Sequence, residues 1–308
     1  MAPKDDSTWE GLTTEARHPA SRELDRMPTG DVVALLIEED RRGLEAALAH
    51  RGRIAEVAEW TAEALAGGGS VVLTGAGTSG RLAVLEAAEC PPTFGTDPER
   101  IRAAIAGGEE AVFRAREGAE DREDEGRQAA SGLGPGDLVI GLSASSVTAF
   151  TRGSLEAARA GGARTVLLTC AAPTGLEAVA DLVLALDTGP EILTGSTRLK
   201  AGSATKAVLN AITTAAMVRL GKVYENWMVD LRPGSAKLRD RSLRIVAAGA
   251  ARGGDPLPRV EAERLLAEAG GEVKTALVMG RRAVGVEEAR RRLAATGGRV
   301  REAIEPPS

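Results

Sequence analysis

The 308-residue sequence is poor in the residues that mark several kinds of protein site. It contains only two cysteines and two histidines, and Cys90, Cys170, His18 and His50 show none of the spacings typical of a metal site. We therefore expect no bound metal. Both cysteines are expected to be buried as small hydrophobic side chains.

An excess of positive charge and long apolar runs are also missing. The net charge is −5, and charges of both signs are interspersed, so the chain lacks the basic surface that nucleic acid requires. No apolar run approaches the roughly 20 residues needed to cross a bilayer, and the N-terminus MAPKDDSTWEG has no signal-peptide pattern. The sequence therefore predicts a cytoplasmic protein that binds neither nucleic acid nor membrane.

What the sequence does contain is an alternation of short apolar runs and helical segments. Segments long enough for helices separate the runs, which predicts an α/β fold with a five-stranded parallel sheet and flanking helices. The runs typical of buried strands are residues 71–74, 101–106, 138–142, 165–169 and 182–186.

Helical spacing of apolar residues marks the segments on either side of the predicted sheet. Before residue 67 it predicts two or three N-terminal helices. After the last strand, the Ala-rich stretch 202–220 predicts a long helix with Val208, Leu209, Ile212 and Val218 on its buried side.

These patterns divide the chain into four predicted regions. Residues 1–12 are expected to be a disordered N-terminus, and residues 13–67 a helical region. Residues 68–240 are the predicted sheet domain. Residues 241–308, with two short amphipathic segments around a Gly-Gly turn, are the predicted small C-terminal helical bundle.

The stretch VVLTGAGTSGRL, residues 71–82, has the G-x-G-x-x-G spacing of dinucleotide-binding folds. Those folds also need an acidic residue about 20 positions later, at the end of the second strand. Here the second predicted strand ends about 30 positions later, after a Cys-Pro-Pro sequence. Thr78 and Ser79 stand where a helix would begin and offer hydroxyl and backbone N–H groups to an anion. A single phosphate therefore fits this loop better than a dinucleotide.

A second hydroxyl-rich loop follows the third predicted strand. Ser143, Ser145 and Thr148 lie where the chain would enter the next helix, at the same edge of the parallel sheet. Either loop alone is also typical of a helix N-cap. Two such loops at one carboxyl edge favour a phosphosugar site at a topological switch point.

Longer motifs resemble one family of phosphosugar proteins. The sugar isomerase (SIS) domain has a parallel sheet of this kind and an S-x-S-x-x-T phosphate loop. Within it, the N-acetylmuramic acid 6-phosphate etherases are similar to this chain from about residue 13 to the C-terminus. The resemblance is carried by TEARHP with LDR, GAGTSGRLAVLEAAECPPTFGT, IAGGEEA, EGAED and TGSTRLKAGSATKAVLN followed by GKV.

The resemblance implies a reaction that needs neither metal nor cofactor. The family cleaves the D-lactyl ether at C3 of N-acetylmuramic acid 6-phosphate, giving N-acetylglucosamine 6-phosphate and D-lactate. In the open-chain sugar a base removes the C2 proton, lactate leaves from C3 with help from an acid, and water adds to the unsaturated sugar. Two carboxyl groups with separated pKa values suit this chemistry. The resemblance also implies a homodimer, and it implies substrate contacts at Thr78, Ser79, Ser143, Ser145, Thr148 and Ser196.

The family's two catalytic glutamates correspond to Glu89 and Glu120. We expect Glu89 to be the acid, because it lies in the last turn of a helix that Pro91 and Pro92 would end. There the helix dipole disfavours a carboxylate and would raise its pKa. Glu120, assigned as the base, lies in REGAEDREDE, a run that by itself is typical of a solvated helix face. The two glutamates are 31 positions apart, so their pairing rests on the resemblance.

This chain departs from the family in the second loop. Where the family usually has A-S-G-R-T-P-Y, residues 144–150 read ASSVTAF, so Ser146 replaces a glycine and Val147 a basic residue. An etherase could still hold phosphate through the remaining hydroxyls and amides. The alternative is a non-catalytic phosphosugar-binding regulator, as in the related glucokinase regulatory protein. An aldose–ketose isomerase on the same fold is a third, less supported possibility.

Overall fold

The computed structural model describes residues 11–172, 175–231 and 234–305. The chain divides into two compact units, Met1–Ala87 with Pro98–Thr213 and Ala88–Asp97 with Thr214–Ser308. The first unit contains the sheet, and the second contains the C-terminal helices. Most of the predicted disordered N-terminus, residues 1–10, lies outside the described residues, whereas Leu12 is described and is buried.

A five-stranded parallel sheet forms the centre of the first unit, in the order β2-β1-β3-β4-β5. All residues of β1 and β3 are buried, which is why these strands are continuous apolar runs rather than alternating ones. The predicted α/β fold with five parallel strands is therefore confirmed. The strands are β1 (Val71–Gly75), β2 (Ile101–Ile105), β3 (Leu138–Leu142), β4 (Arg164–Thr169) and β5 (Leu182–Ala185).

Helices precede and flank the sheet. The predicted N-terminal helical region contains two α-helices, preceded by short 3-10 turns at Thr13–Glu15, Pro19–Ser21 and Leu24–Arg26. Further 3-10 turns lie at Ala119–Asp121 and Leu176–Val179. The helices are α1 (Thr29–Ala49), α2 (Arg51–Ala66), α3 (Gly77–Phe94), α4 (Glu110–Phe113), α5 (Glu123–Ala129), α6 (Ala149–Gly161) and α7 (Lys200–Arg219).

The prediction that Pro91 and Pro92 end their helix is wrong. Helix α3 continues through both prolines to Phe94, and the Gly95 N–H donates to the Pro91 carbonyl at 2.9 Å. The φ angle of proline, fixed near −65°, is compatible with a helix, so the helix can continue although each proline lacks an N–H donor and its ring crowds the carbonyl four residues earlier. Glu89 consequently lies before the last turn, where the helix dipole acts on it more weakly than we expected.

The long helix α7 was predicted correctly, but one of its predicted buried residues is exposed. Val208, Leu209 and Ile212 are buried, whereas Val218 is 51% exposed and Met217 is buried instead. At about 100° per residue, Val218 lies about 240° around the helix from Ile212 and faces away from the core. The error came from assigning Val218 to the buried face of a turn whose buried residues are Ala216 and Met217.

Helix α1 carries apolar side chains on an exposed face. Val33, Ile37, Leu44 and Leu48 are 46% to 67% exposed. The buried side of the helix instead contains Glu39, Gly43 and Ala47. Apolar periodicity therefore predicted the helix correctly, although these four side chains do not pack into this chain's own core.

In its described residues the second unit is helical, apart from a short antiparallel hairpin of β6 (Val223–Tyr224) and β7 (Trp227–Met228). One hydrophobic cluster, with Val246, Leu265 and Leu277 among its fully or nearly fully buried members, holds it together. The predicted Gly-Gly turn lies between its second and third helices. The helices are α8 (Ala236–Gly249), α9 (Arg259–Glu268), α10 (Val273–Arg282), α11 (Val286–Ala295) and α12 (Val300–Ile304).

Cys90 and Cys170 are buried, as predicted, and they form no disulfide with each other. Burial raises the pKa of the Cys170 thiol to about 11, although a hydrogen bond with Thr205 opposes the shift. Among the described residues, no helix has both the length and the apolar character needed to cross a membrane.

Candidate active site

The loops after β1 and β3 lie side by side. The two strands are parallel neighbours, and Gly75 at the end of β1 pairs with Leu142 at the end of β3. β2 and β3 flank β1 on opposite sides, so the sheet order reverses at β1 and β3. Ligands of open α/β sheets bind at such a switch point, outside the carboxyl ends of the strands. Both hydroxyl-rich loops therefore lie at the place where the fold provides a ligand crevice.

The glycines of the first loop have a packing role that requires no dinucleotide. A Cβ on Gly80 would lie 2.5 Å from Ile105 Cγ1 and 2.6 Å from the Gly75 carbonyl oxygen, so only glycine lets α3 approach β2 this closely. Thr78 and Ser79 are half-buried in the first turn of α3. Their position at a helix N-terminus can stabilise an anion through backbone N–H groups and the helix dipole.

The second loop is organised by hydrogen bonds among its own hydroxyls. Ser143 is buried, and its Oγ lies 2.9 Å from Thr148 Oγ1 and accepts from the Thr148 N–H at 3.4 Å. Ser145 is half-buried. Ser146 adopts a left-handed backbone with φ of +63°, which is the conformation that glycine adopts without strain. Because Ser146 is fully buried, its side chain does not cover the exposed edge of the loop.

Glu120 lines a cavity of about 160 Å³ next to the first loop. It is exposed and lies in the 3-10 turn Ala119–Asp121, which follows Gly118 with φ of +70°. Ala76 and Gly77, at the junction of β1 and α3, line the same cavity. The predicted base and one predicted phosphate loop thus share one crevice within the first unit.

Two arginines that sequence reasoning missed also line this cavity. Arg81 donates from Nε to the Val112 carbonyl at 2.9 Å and from Nη2 to the Ala111 carbonyl at 2.8 Å. Arg116 forms an ion pair with Glu110. Arg81 belongs to the GAGTSGRL motif, so its place in the sequence was a usable signal, whereas Arg116 had none.

Phe150 supports the turn that carries Glu120. It is 2% exposed and packs with Ala106 and Ala119 in a small hydrophobic cluster. Ala106 follows β2, Ala119 immediately precedes Glu120, and Phe150 belongs to α6. Residue 150, where the family usually has tyrosine, therefore lies beneath the candidate base rather than in the crevice.

Glu89 belongs to the second unit, whereas Glu120 and the loops belong to the first. Glu89 is exposed on α3, next to buried Cys90. One turn earlier, buried Glu86 accepts from Lys206 Nζ at 3.0 Å and from Thr213 Oγ1 at 2.5 Å, all within the first unit. Nothing in the apolar pattern of α3 distinguished this buried glutamate from the exposed one.

Ser196, the last predicted substrate contact, lies in the loop between β5 and α7. It is half-buried, and its N–H donates to the Leu193 carbonyl at 2.9 Å. The roles of all eight predicted site residues remain predictions. Within the first unit, the fold brings the loops after β1 and β3 together.

Comparison with known proteins first defines the class. Residues 53–159, which contain the first three strands of the sheet, match the family described as the glucokinase regulatory protein N-terminal SIS domain, so this part of the chain is similar to an SIS domain.

Full-length relatives then define the family. An N-acetylmuramic acid 6-phosphate etherase of Cutibacterium acnes is 47% identical over 97% of this chain and 98% of its own. Those of Rubrobacter xylanophilus and Salinibacter ruber are 49% and 47% identical, over 95% and 96% of this chain and 96% and 94% of their own. The chain belongs to the N-acetylmuramic acid 6-phosphate etherase family, and the predicted family is confirmed.

Proposed function

We propose that this chain is a carbon–oxygen lyase that cleaves the D-lactyl ether of N-acetylmuramic acid 6-phosphate. The observation that carries the proposal is the 47% to 49% identity to etherases over nearly the whole chain. The cavity beside the loop after β1 supports it, since the start of α3, a helix N-terminus that can bind an anion, and Glu120, a carboxylate suited to proton transfer, both line it.

In this proposal, different residues bind the phosphate and transfer the protons. Hydroxyl and N–H groups of the two loops and of Ser196 bind the 6-phosphate and the sugar. Glu120 removes the C2 proton, and the electron pair forms a C2=C3 double bond as the C3–O bond breaks. Glu89 protonates the departing lactate oxygen. Water then adds at C3 and a proton returns to C2, so the products are N-acetylglucosamine 6-phosphate and D-lactate.

A homodimer is part of the proposal. The exposed apolar face of α1, formed by Val33, Ile37, Leu44 and Leu48, is the surface we assign to the contact between two copies. Apolar side chains aligned on one helix face, with an exposed area of this kind, typically mark an interaction surface.

The remaining parts of the proposal concern location and domain boundaries. We propose a cytoplasmic location, because a sugar carrying a charged phosphate does not cross a bilayer unaided. The predicted limits of the sheet domain at residues 68 and 240 also remain a proposal.

The direct test is incubation of the purified chain with N-acetylmuramic acid 6-phosphate, followed by an enzymatic assay for D-lactate. We expect stoichiometric release of lactate and N-acetylglucosamine 6-phosphate. Tight binding of the substrate without lactate would contradict the lyase and support a phosphosugar-binding regulator. Interconversion of an aldose and a ketose phosphate would instead identify an isomerase.

A further inference from the structure

Three charged side chains are buried together in the first unit, away from the Glu120 cavity. Glu39, Glu191 and Lys200 are 2%, 1% and 3% exposed. Removing charges from water is costly, and a buried ion pair often contributes little net stability compared with apolar residues. Their burial therefore indicates that they hold a neighbouring part of the chain in place rather than add much to the stability of the fold. We name them the clasp.

Glu191 and Lys200 close the base of the loop that carries Ser196. The Glu191 carboxylate accepts from the Lys200 N–H at 3.2 Å and from the Ala201 N–H at 2.9 Å. Lys200 Nζ, on the other side of the loop base, donates to the Pro190 carbonyl at 2.9 Å. Residues 190–191 and 200–201 are thus joined by three hydrogen bonds, and residues 192–199 form a closed loop between them.

Glu191 also occupies the N-terminus of α7 as an internal anion. Burial raises the pKa of this carboxyl, although the two N–H donors and Lys200 oppose the shift. A carboxylate in this position satisfies N–H groups that would otherwise be unpaired at the start of the helix. These N–H groups are therefore used to fix the loop rather than to bind an external phosphate.

Glu39 connects the base of the loop to the N-terminal segment. Its Oε2 accepts from Lys200 Nζ at 2.6 Å and lies 3.2 Å from His18 Nε2. Since His18 Nδ1 accepts from the Ala20 N–H, Nε2 carries the proton that His18 directs at Glu39. Burial would raise the pKa of Glu39, but the hydrogen bond and charge of Lys200, with smaller contributions from His18 and Arg42, hold it below its usual value.

The N-terminal segment in turn holds the tip of the loop. The Gly195 N–H donates to the Thr14 carbonyl at 3.1 Å, and Thr14 is only 1% exposed. Gly195 has φ of +76°, and it immediately precedes Ser196. The base and the tip of the loop are thus both connected to Glu39, one directly through Lys200 and the other through the segment that ends at His18.

We propose that Glu39, Glu191 and Lys200 are positioning residues that fix the 192–199 loop so that Ser196 can contact the phosphosugar. This inference rests on the proposed function for the identity of the ligand. None of the three touches the reacting atoms in this account. Their effect reaches the substrate through the loop backbone.

The test compares Glu191→Gln with Asp137→Asn, two isosteric changes to carboxylates that each accept two backbone N–H groups. Asp137 accepts from Ser70 at 2.6 Å and from Gly134 at 2.9 Å. It precedes β3 and so lies at the edge of the sheet opposite the loops. Both changes are expected to lower the melting temperature, but only Glu191→Gln alters the loop.

For Glu191→Gln we expect KM and the calorimetric Kd for N-acetylmuramic acid 6-phosphate to rise about tenfold, the scale of one lost hydrogen bond to a charged group. We expect kcat to stay within about twofold. Asp137→Asn should leave both constants unchanged. If Glu191→Gln lowers the melting temperature as Asp137→Asn does and leaves KM and Kd unchanged, the residue is merely structural and the inference is wrong.

Glu39→Gln provides the second test, because it keeps the Glu191 cap and removes the carboxylate charge that pairs with Lys200, His18 and Arg42. It should also weaken binding, and unchanged binding would contradict the role of Glu39. If the parental chain releases no D-lactate, the proposed function fails. The calorimetric comparison of parent and variants still decides the role of the clasp in that case.

Discussion

Ser146 holds the second loop in a conformation that disfavours its own side chain. A residue with a Cβ adopts a left-handed φ such as +63° at a cost of roughly 1–2 kcal/mol. Replacement by glycine removes this strain. Glycine also gives the unfolded chain more conformational freedom, which lowers the free energy of unfolding by roughly 0.4–1 kcal/mol. We predict that Ser146→Gly raises the free energy of unfolding by about 0.5–1 kcal/mol, measured by urea denaturation.

The matched control for this change is Ser145→Gly in the same loop. Ser145 is not among the residues with positive φ, so glycine there adds freedom to the unfolded chain without relieving strain. It should lower stability. Equal changes in the free energy of unfolding would show that relief of backbone strain at Ser146 does not stabilise the protein.

The hydroxyl of Ser145 provides a test of phosphate recognition. If it donates to the 6-phosphate, Ser145→Ala should weaken binding of the phosphorylated sugar by about 1–2 kcal/mol, the scale of a hydrogen bond to a charged group. Binding of the unphosphorylated sugar should be almost unaffected. Calorimetry with both ligands measures the difference, and an equal loss on both would mean that the hydroxyl serves only the fold of the loop.

At the scale of elements, α6 supports the turn that carries the candidate base. Phe150→Ala should cost about 3–5 kcal/mol of stability, as typical for a buried phenylalanine. It should also lower kcat, since Ala119 loses the packing that fixes the neighbouring Glu120. Leu155→Ala is the control, because Leu155 is buried on the same helix in a different cluster. Equal stability loss with an unchanged kcat in both variants would contradict a supporting role for Phe150.

The elements themselves were largely predictable, for physical reasons. The central strands β1 and β3 are buried on both faces, so the sequence shows a short apolar run bounded by polar residues or glycine. The end of α3 was missed because a proline inside a helix and a proline that ends one leave the same sequence signal. Val218 was misplaced because periodicity identifies a helix more reliably than it identifies which residues of each turn face the core.

The candidate site was predictable only where its residues lie within one motif. The two loops were identified because each combines hydroxyls with a strand-to-helix turn. Glu39 and Lys200 are 161 positions apart, and no local pattern predicts that two such distant charges are buried together. The pairing of Glu89 with Glu120 likewise could not come from spacing, and it remains a proposal based on the family.

At the scale of the whole molecule, the exposed face of α1 predicts self-association. Replacing Ile37, 67% exposed, by lysine should place a charge in the proposed apolar contact and shift the proposed dimer to monomers. Sedimentation velocity measures the shift. Val260→Lys is the control, since Val260 is 77% exposed on a different unit and should leave the dimer intact. A parental chain that sediments as a monomer would contradict this assignment.

The most direct test of the account is hydrogen exchange at C2 of N-acetylmuramic acid 6-phosphate in D₂O, followed by NMR in variants of the two glutamates. Glu89→Gln should slow lactate release by roughly 10² to 10⁴-fold, as expected for a lost general acid. It should still exchange the C2 hydrogen, because the base remains. Glu120→Gln should lose both lactate release and exchange. Exchange retained in Glu120→Gln and lost in Glu89→Gln would reverse the two roles, and parental rates of lactate release in both variants would contradict the mechanism.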